Sequence, residues 1–365
     1  MKLHEVLKVL ENRFEPKEAE GFDNVGLLCG NPQVEISGIL ICHDALESVV
    51  QEAIDKKKNL IVCFHPILFS PIKSLTGKNY VERTLIKAIQ NNIAIYALHT
   101  VFDNDYFGVS YGMAQALGLE NQKVLLPKEG ALSQLVVYVP IDYTETVKEA
   151  LFNAGAGSLG YYDECSFSLS GEGTFRPKEG SRPFAGHLNE RSHESEVMLS
   201  VIFESYKKSN LVQALKEAHP YEEVAFQILS LENENHYSGL GRVGELPIAL
   251  SEEEFLNKVK EVFDLKVIRH SNKTGKPIKK VGVFGGSGAS GISAAKRNSC
   301  DAYLCGDLKY HDFFQAEDRT LLCDIGHYES ERFVTEQLFK IISEKFPKFA
   351  VSKSEEKTNP VNYFI

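Results

Sequence analysis

The sequence lacks any long apolar run, and this absence excludes one class of protein. No stretch reaches the roughly 18 consecutive apolar residues that a membrane-spanning helix needs, so we expect no membrane span. Residues 1–5 carry charged side chains where a secretory signal would be apolar, so secretion is not expected either.

The sequence also lacks a CxxC pair and a long basic stretch. Its 7 cysteines are scattered and odd in number, which fits a reducing compartment better than a disulfide framework. We therefore predict a cytoplasmic protein. The formal net charge is −10, whereas a nucleic-acid backbone would require a positive face. The composition thus disfavours nucleic-acid binding.

Continuous apolar strands alternate with amphipathic helices at both ends of the 365-residue chain, a length that predicts two or three domains. The predicted strands are residues 36–42, 59–63 and 93–98 near the start, and 280–284, 302–305 and 320–324 near the end. The helical spacing of Leu3, Val6, Leu7 and Leu10 predicts a first helix up to about Arg13, and further helices are predicted around His311 and over residues 329–344. This alternation is typical of a largely parallel sheet covered on both faces.

The middle of the chain has a different pattern. Strands at residues 134–139 and 196–203 alternate in polarity, and each precedes a helix, at 143–153 and 208–218. Such units predict a ferredoxin-like β-α-β-β-α-β insert. The fold class is therefore α/β, with two halves (residues 1–127 and 236–365) forming one domain that an α+β insert (residues 128–235) interrupts.

Histidines and carboxylates follow several predicted strands, where ligands collect in doubly wound sheets. The candidates are His43, Asp44, His65, His99, Asp103, Asp307, His311, Asp324 and His327. His327 and Glu331 are four residues apart, so on a helix they share one face and can grip one ion, such as zinc, iron, manganese or cobalt. The alternative is that His327 caps the helix and Glu331 complements its dipole.

A glycine-rich turn offers a second candidate site. Residues 286–291 satisfy GxGxxG, follow a strand and open a helix, which is the context of a dinucleotide fingerprint. No acidic residue stands at a strand end about 20 residues later, as ribose binding would require. A tight turn for close helix–strand packing, or an anion nest, is the favoured interpretation.

Six short motifs occur in the same order as in a known family. They are residues 23–27 (DNVGL), 64–69 (FHPILF), 99–103 (HTVFD), 285–288 (GGSG), 306–311 (GDLKYH) and 326–331 (GHYESE). By these motifs the chain resembles the dinuclear metal-centre family named after NGG-interacting factor three, also described as GTP cyclohydrolase I type 2 homologues. The insert resembles the PII-like domain of the longer bacterial members through residues 160–167, 171–177 and 218–223.

The resemblance implies one or two divalent ions (Zn, Fe or Mn) per subunit. The family pattern is a His-His pair, an Asp, and a final His and Glu, which carries over to His65, Asp103, His327 and Glu331. Phe64 stands where the first histidine is expected, and a phenyl ring cannot bind a metal. We therefore expect one intact site with His65, Asp103 and Glu331. A second site around His327 and Glu331 would be weakened, empty or completed by water.

Three functional hypotheses follow. The first is a metal-dependent hydrolase of a nucleotide or related heterocycle, in which His99 or His311 shuttles a proton. The second is a non-catalytic metal-binding or regulatory protein whose insert senses a small molecule. The third is a dinucleotide-dependent oxidoreductase that uses the turn at Gly286. The resemblance also implies a homohexamer.

Overall fold

The computed structural model describes residues 1–364, which divide into two compact units. Unit 1 comprises residues 1–127 and 238–364, and unit 2 comprises residues 128–237. No helix within residues 1–364 is both long enough and apolar enough to span a lipid bilayer.

The secondary structure elements, in chain order, fall into three groups. The first part of unit 1 contains α1 (Leu3–Arg13), β1 (Gly26–Cys29), β2 (Ile39–Asp44), α2 (Glu47–Asp55), β3 (Leu60–His65), α3 (Tyr80–Gln90), β4 (Ala94–Ala97), α4 (His99–Asn104), α5 (Val109–Ala116) and β5 (Glu120–Pro127). Unit 2 contains β6 (Leu132–Pro140), α6 (Thr144–Asn153), β7 (Ser166–Phe175), β8 (Ser192–Glu204), α7 (Lys208–Ala218) and β9 (Phe226–Ser230). The second part of unit 1 contains β10 (Gly239–Leu250), α8 (Glu252–Val262), β11 (Arg269–His270), β12 (Ile278–Ser287), α9 (Ile292–Arg297), β13 (Ala302–Gly306), β14 (Leu321–Asp324), α10 (His327–Glu331), α11 (Val334–Lys345) and β15 (Val351–Lys353). Short 3-10 helices cover Pro16–Glu18, Ile141–Tyr143, Ser205–Lys207, Ala289–Gly291 and Tyr310–Ala316.

The first sheet of unit 1 has the strand order β1-β4-β3-β2-β15. All of its neighbouring strands run parallel except β1, which pairs antiparallel with β4. Alternate side chains of its central strands enter two separate cores, so that Leu60 and Val62 pack on one face while Ile61 and Cys63 pack on the other. Burial of both faces explains the continuous apolar runs of these strands.

The second sheet of unit 1 has the order β11-β14-β13-β12-β10-β5. Its three central strands β12, β13 and β14 are parallel, while β10, β5 and β11 pair antiparallel with their neighbours. Apolar clusters cover both of its faces. The carboxyl ends of β12, β13 and β14 therefore lie at one edge, where α10 begins after a two-residue connection from β14.

Unit 2 is a four-stranded antiparallel sheet with the order β7-β8-β6-β9. Helices α6 and α7 share one apolar core with strands β6 and β8. The chain order β6-α6-β7-β8-α7-β9 is a β-α-β-β-α-β arrangement. The likeness of this unit to PII proteins stays a prediction.

The α/β class is confirmed, whereas several local predictions are wrong. The first sheet is largely parallel, as predicted, whereas the second sheet is mixed, because β5, β10 and β11 pair antiparallel with their neighbours. The helix predicted over residues 329–344 is broken after Glu331 and resumes at Val334, a short interruption that apolar periodicity does not register. The segment containing His311 is a 3-10 helix, a common form for such a short connector.

Candidate metal centre

The carboxyl ends of β2 and β3 bring three polar side chains to one edge of the first sheet. These strands are parallel neighbours with Asp44 opposite His65. Because side chains alternate along a strand, His43 lies on the same face of the sheet as Phe64, and Asp44 lies beside His65. Helix α10, which follows the central strand β14 of the second sheet, adds His327 and Glu331.

The carboxylate of Glu331 is the common partner of three imidazoles. Its Oε2 lies 2.9 Å from His43 Nε2 and 3.4 Å from His65 Nε2, and its Oε1 lies 3.3 Å from His327 Nε2. His65 Nε2 and His327 Nε2 are 3.4 Å apart. Glu331 is only 3% exposed, so these contacts are formed away from bulk water.

Each imidazole in the cluster is held by a second carboxylate at its other nitrogen. Asp44 pairs with Nδ1 of both His43 and His65, at 2.9 Å in each case. Asp307 Oδ2 lies 2.7 Å from His327 Nδ1. A carboxylate at Nδ1 fixes the ring and leaves Nε2 facing the centre, which is the usual arrangement behind metal-binding histidines.

Electrostatics in this cluster are governed by the close imidazole–carboxylate pairs. Desolvation opposes ionisation of Glu331, but hydrogen bonds from His327 and His43 lower its pKa to about 2. Burial disfavours the charged imidazoles, yet their carboxylate partners raise the pKa of His43 to about 9 and that of His327 to about 10. A cation is therefore favoured between these groups, and a metal ion would compete with protons for Nε2.

Asp103 and His99 lie on α4 and face the same cavity, whose volume is about 750 Å³. Desolvation raises the pKa of Asp103 to about 8, and no hydrogen bond to its carboxylate is found within residues 1–364. His99 Nδ1 lies 2.8 Å from Asp23 Oδ1. His99 also has φ +30°, a left-handed conformation that is uncommon outside glycine.

Glycines provide the space around Glu331. Gly286 has φ +68°, and a Cβ atom there would lie 2.4 Å from Glu331 Oε1. A Cβ on Gly288 would lie 2.3 Å from Cys305 Cβ, and one on Gly291 would lie 2.2 Å from the Tyr303 hydroxyl. The last two glycines thus allow close packing on β13, in agreement with the packing interpretation of the GxGxxG turn.

The donor set fits a divalent metal ion. Nitrogen and oxygen atoms of His65, His327 and Glu331 all lie within 4.8 Å of one another. Donors bound to one ion at about 2.0–2.2 Å lie about 3–3.5 Å apart, as the pairs here do. The half-buried Asp103 carboxylate, which accepts no hydrogen bond within the described part of the chain, supplies a further unused oxygen donor. Mixed imidazole and carboxylate ligands suit zinc, iron or manganese.

The structure brings five of the six predicted site residues to one cavity: His65, Asp103, His327, Glu331 and His99. His311 is exposed and makes ring contacts with Tyr310 and Phe314, so it lies outside the cavity lining. Its proposed proton shuttle stays a prediction, as do the assigned roles of the other five.

Sequence reasoning left four participating side chains without a role: His43, Asp44, Asp23 and Asp307. His43, Asp44 and Asp307 stand at or beside the ends of strands, whereas Asp23 lies in the turn before β1; the adjacent pair at residues 43–44 was the available signal. Apart from the adjacent His43–Asp44 pair, the partner carboxylates are 20 or more positions away from their histidines, so spacing alone could not assign them.

Comparisons with known proteins match nearly the full length of the chain. A family model described as Duf34/NIF3 (NGG1p interacting factor 3) matches residues 1–360. A Bacillus subtilis (strain 168) protein named "GTP cyclohydrolase 1 type 2 homolog" is 37% identical over 98% of this chain and 98% of its own. The crystal structure of a Bacillus cereus protein related to NIF3 has a TM-score of 0.85 at 33% identity, covering 100% of this chain and 99% of that one. A Staphylococcus aureus crystal structure has a TM-score of 0.79 at 28% identity, covering 100% and 99% respectively.

Proposed function

Because this chain belongs to the Duf34/NIF3 family, we propose that it binds a divalent metal ion and hydrolyses a nucleotide or related heterocycle. His65, Asp103, His327 and Glu331 are the proposed ligands. The observation that carries this proposal is the convergence of imidazole and carboxylate donors on Glu331, beside a cavity of about 750 Å³. When bound, a divalent ion supplies Lewis acidity, which polarises a substrate oxygen or acidifies water.

The residues around the donors have separate proposed roles in proton transfer and in the exclusion of water. Asp23 holds His99 at Nδ1, which leaves Nε2 of that imidazole to exchange a proton with substrate or water. Burial of Glu331 excludes bulk water from its carboxylate and strengthens its interaction with a cation. The cavity volume lies within the range of small-molecule sites.

Two aromatic rings support a planar substrate. Phe22 and Phe69 line the cavity, their ring centroids are 6.4 Å apart, and they are 68% and 53% exposed. Exposed aromatic faces stack favourably on heterocycles. The name of the B. subtilis relative makes GTP the first compound to test.

The test combines metal analysis with turnover. Elemental analysis of the dialysed protein should find Zn, Fe or Mn, and a panel of nucleotides with added Mn²⁺ or Zn²⁺ should include a compound that is hydrolysed. Absence of any bound metal at saturating concentrations would refute the whole proposal. Bound metal without turnover of the panel would refute the hydrolase and leave the second candidate.

The second candidate is a metal-binding regulatory protein that senses a small molecule through unit 2. A cavity of about 760 Å³ in this unit is lined by Phe175, Phe184 and Tyr221, with the buried Glu196 bonded to the Tyr221 hydroxyl at 2.9 Å. A cavity that combines aromatic rings with an oriented carboxylate is typical of ligand sites. Saturation-transfer NMR with a metabolite library tests this candidate, and the absence of any binder would contradict it.

Assembly and location complete the proposal. We propose that the protein forms a homohexamer in the cytoplasm, as the resemblance implies, and that it contacts neither a membrane nor a nucleic acid. Size-exclusion chromatography with light scattering tests the assembly, and a monomeric mass would refute it.

A further inference from the structure

Only one complete donor set faces the cavity, although two clusters of donors are present within residues 1–364. The first is His65, His327 and Glu331, and the second is His43, Asp44 and His65. The second cluster has few free donor atoms. Asp44 Oδ2 accepts from both His43 Nδ1 and the Thr358 hydroxyl, while its Oδ1 is paired with His65 Nδ1. It is therefore a support for the first cluster rather than a second ion site.

His43 is directed at Glu331 from the protein side. Its side chain is 6% exposed and it does not line the cavity, whereas Asp44, His65, His327 and Glu331 do. Its Nε2 donates to Glu331 Oε2 at 2.9 Å. A carboxylate oxygen that accepts this bond is less free to bridge to a second ion, while Oε1 stays directed toward His327.

Phe64 fills the neighbouring position with carbon. It is fully buried next to His43 in the paired strands β2 and β3, and its ring stacks on His43 with centroids 5.7 Å apart. The same ring lies 4.9 Å from the ring of His65 and 5.6 Å from that of His99. The space beside the donors at this end therefore holds a phenyl group that cannot bind a cation through a lone pair.

We infer that this site holds a single ion per subunit, and that His43 positions Glu331 for that ion through its hydrogen bond to Oε2. This inference rests on the proposed metal binding and adds its stoichiometry and a positioning residue. His43 and Phe64 together exclude a second ion, because His43 occupies Oε2 of Glu331 and Phe64 provides no imidazole.

The test measures metal stoichiometry and affinity rather than turnover. The full chain is titrated with Co²⁺, followed by its visible absorption spectrum, and with Zn²⁺ in competition with a chelator. The wild type should bind one ion per subunit. His43→Leu should keep one ion but raise its dissociation constant about 10–100-fold, as is usual for groups that orient a ligand. His43→Gln, whose amide can still donate to Oε2, should recover much of that loss.

A variant that is expected to gain a second ion provides the sharper test. The double variant His43→Leu/Phe64→His frees Oε2 and supplies an imidazole, so it should bind two ions per subunit, with circular dichroism confirming that it is folded. Exposed His193 in unit 2 provides the matched control, and His193→Leu should bind one ion with unchanged affinity.

The outcomes separate this inference from the proposed function. Absence of bound metal in the wild type would refute the proposed function itself. Two ions in the wild type, unchanged affinity in His43→Leu, or one ion in a folded double variant would each overturn the inference and leave metal binding intact.

Discussion

Replacing Gly286 by alanine is expected to damage metal binding while leaving the fold intact. Gly286 lies near the end of β12 and beside Glu331, with φ +68° and its N–H bonded to the Ser330 hydroxyl at 2.9 Å. The added Cβ would lie 2.4 Å from Glu331 Oε1 and 3.4 Å from His327 Cε1. The carboxylate must therefore retreat by about 1 Å to reach ordinary van der Waals separation.

The magnitude follows from two separate terms. A non-glycine residue in the left-handed region costs about 1–2 kcal/mol, and this term affects stability alone. The clashing atom is the end of a flexible side chain, so the backbone need not move and little further stability is lost. Metal–donor distances, however, tolerate only about 0.2 Å. A displaced Glu331 should therefore weaken metal binding by about 10–100-fold or more.

A matched glycine separates the two terms. Gly275 has φ +74° and no atom within 4 Å of an added Cβ, so Gly275→Ala carries the same backbone cost without the clash. Urea denaturation should give similar losses of stability for the two variants, and Zn²⁺ competition should show weakened binding for Gly286→Ala alone. Equal Zn²⁺ affinity in both variants would refute the steric reasoning.

Three further predictions concern stability. Free Zn²⁺ or Mn²⁺ at 100 times its dissociation constant should raise the free energy of unfolding by about 2.7 kcal/mol, and an unchanged melting temperature at saturation would contradict this. Arg242 is fully buried and donates to four backbone carbonyls. Arg242→Met should therefore cost about 3–5 kcal/mol in urea denaturation, whereas a loss below 1 kcal/mol would show that these bonds contribute little. Burial lowers the pKa of His219 from 6.5. Its Nδ1 accepts from the Tyr221 N–H and its Nε2 donates to the Tyr138 carbonyl, so the neutral ring is required. The unfolded chain then binds the proton more tightly, so the contribution of His219 to stability is fully present above about pH 6.5 and should be lost as the pH falls below that value. His219→Gln should flatten this part of the pH profile while His187→Gln should not; parallel profiles for wild type and His219→Gln would exclude His219 as the cause.

Elements with strong local patterns could be predicted from the sequence. Helix α1 spans Leu3–Arg13, and its apolar spacing alone predicted a helix up to about Arg13. Strand β5 and helix α8 were not predicted. Residues 120–127 alternate only weakly, since their burial depends on pairing with β10, which lies more than 100 positions along the chain.

The sequence by itself determined the α/β class and the family, because apolar periodicity and short ordered motifs are local properties. It also contained the residue types of the candidate metal centre. Only the tertiary structure decided how they meet: Glu331 becomes the shared partner of His43, His65 and His327 through chain separations of up to 288 residues. Such contacts depend on strand register and on where α10 begins, and neither is encoded in the spacing of the residues that make contact.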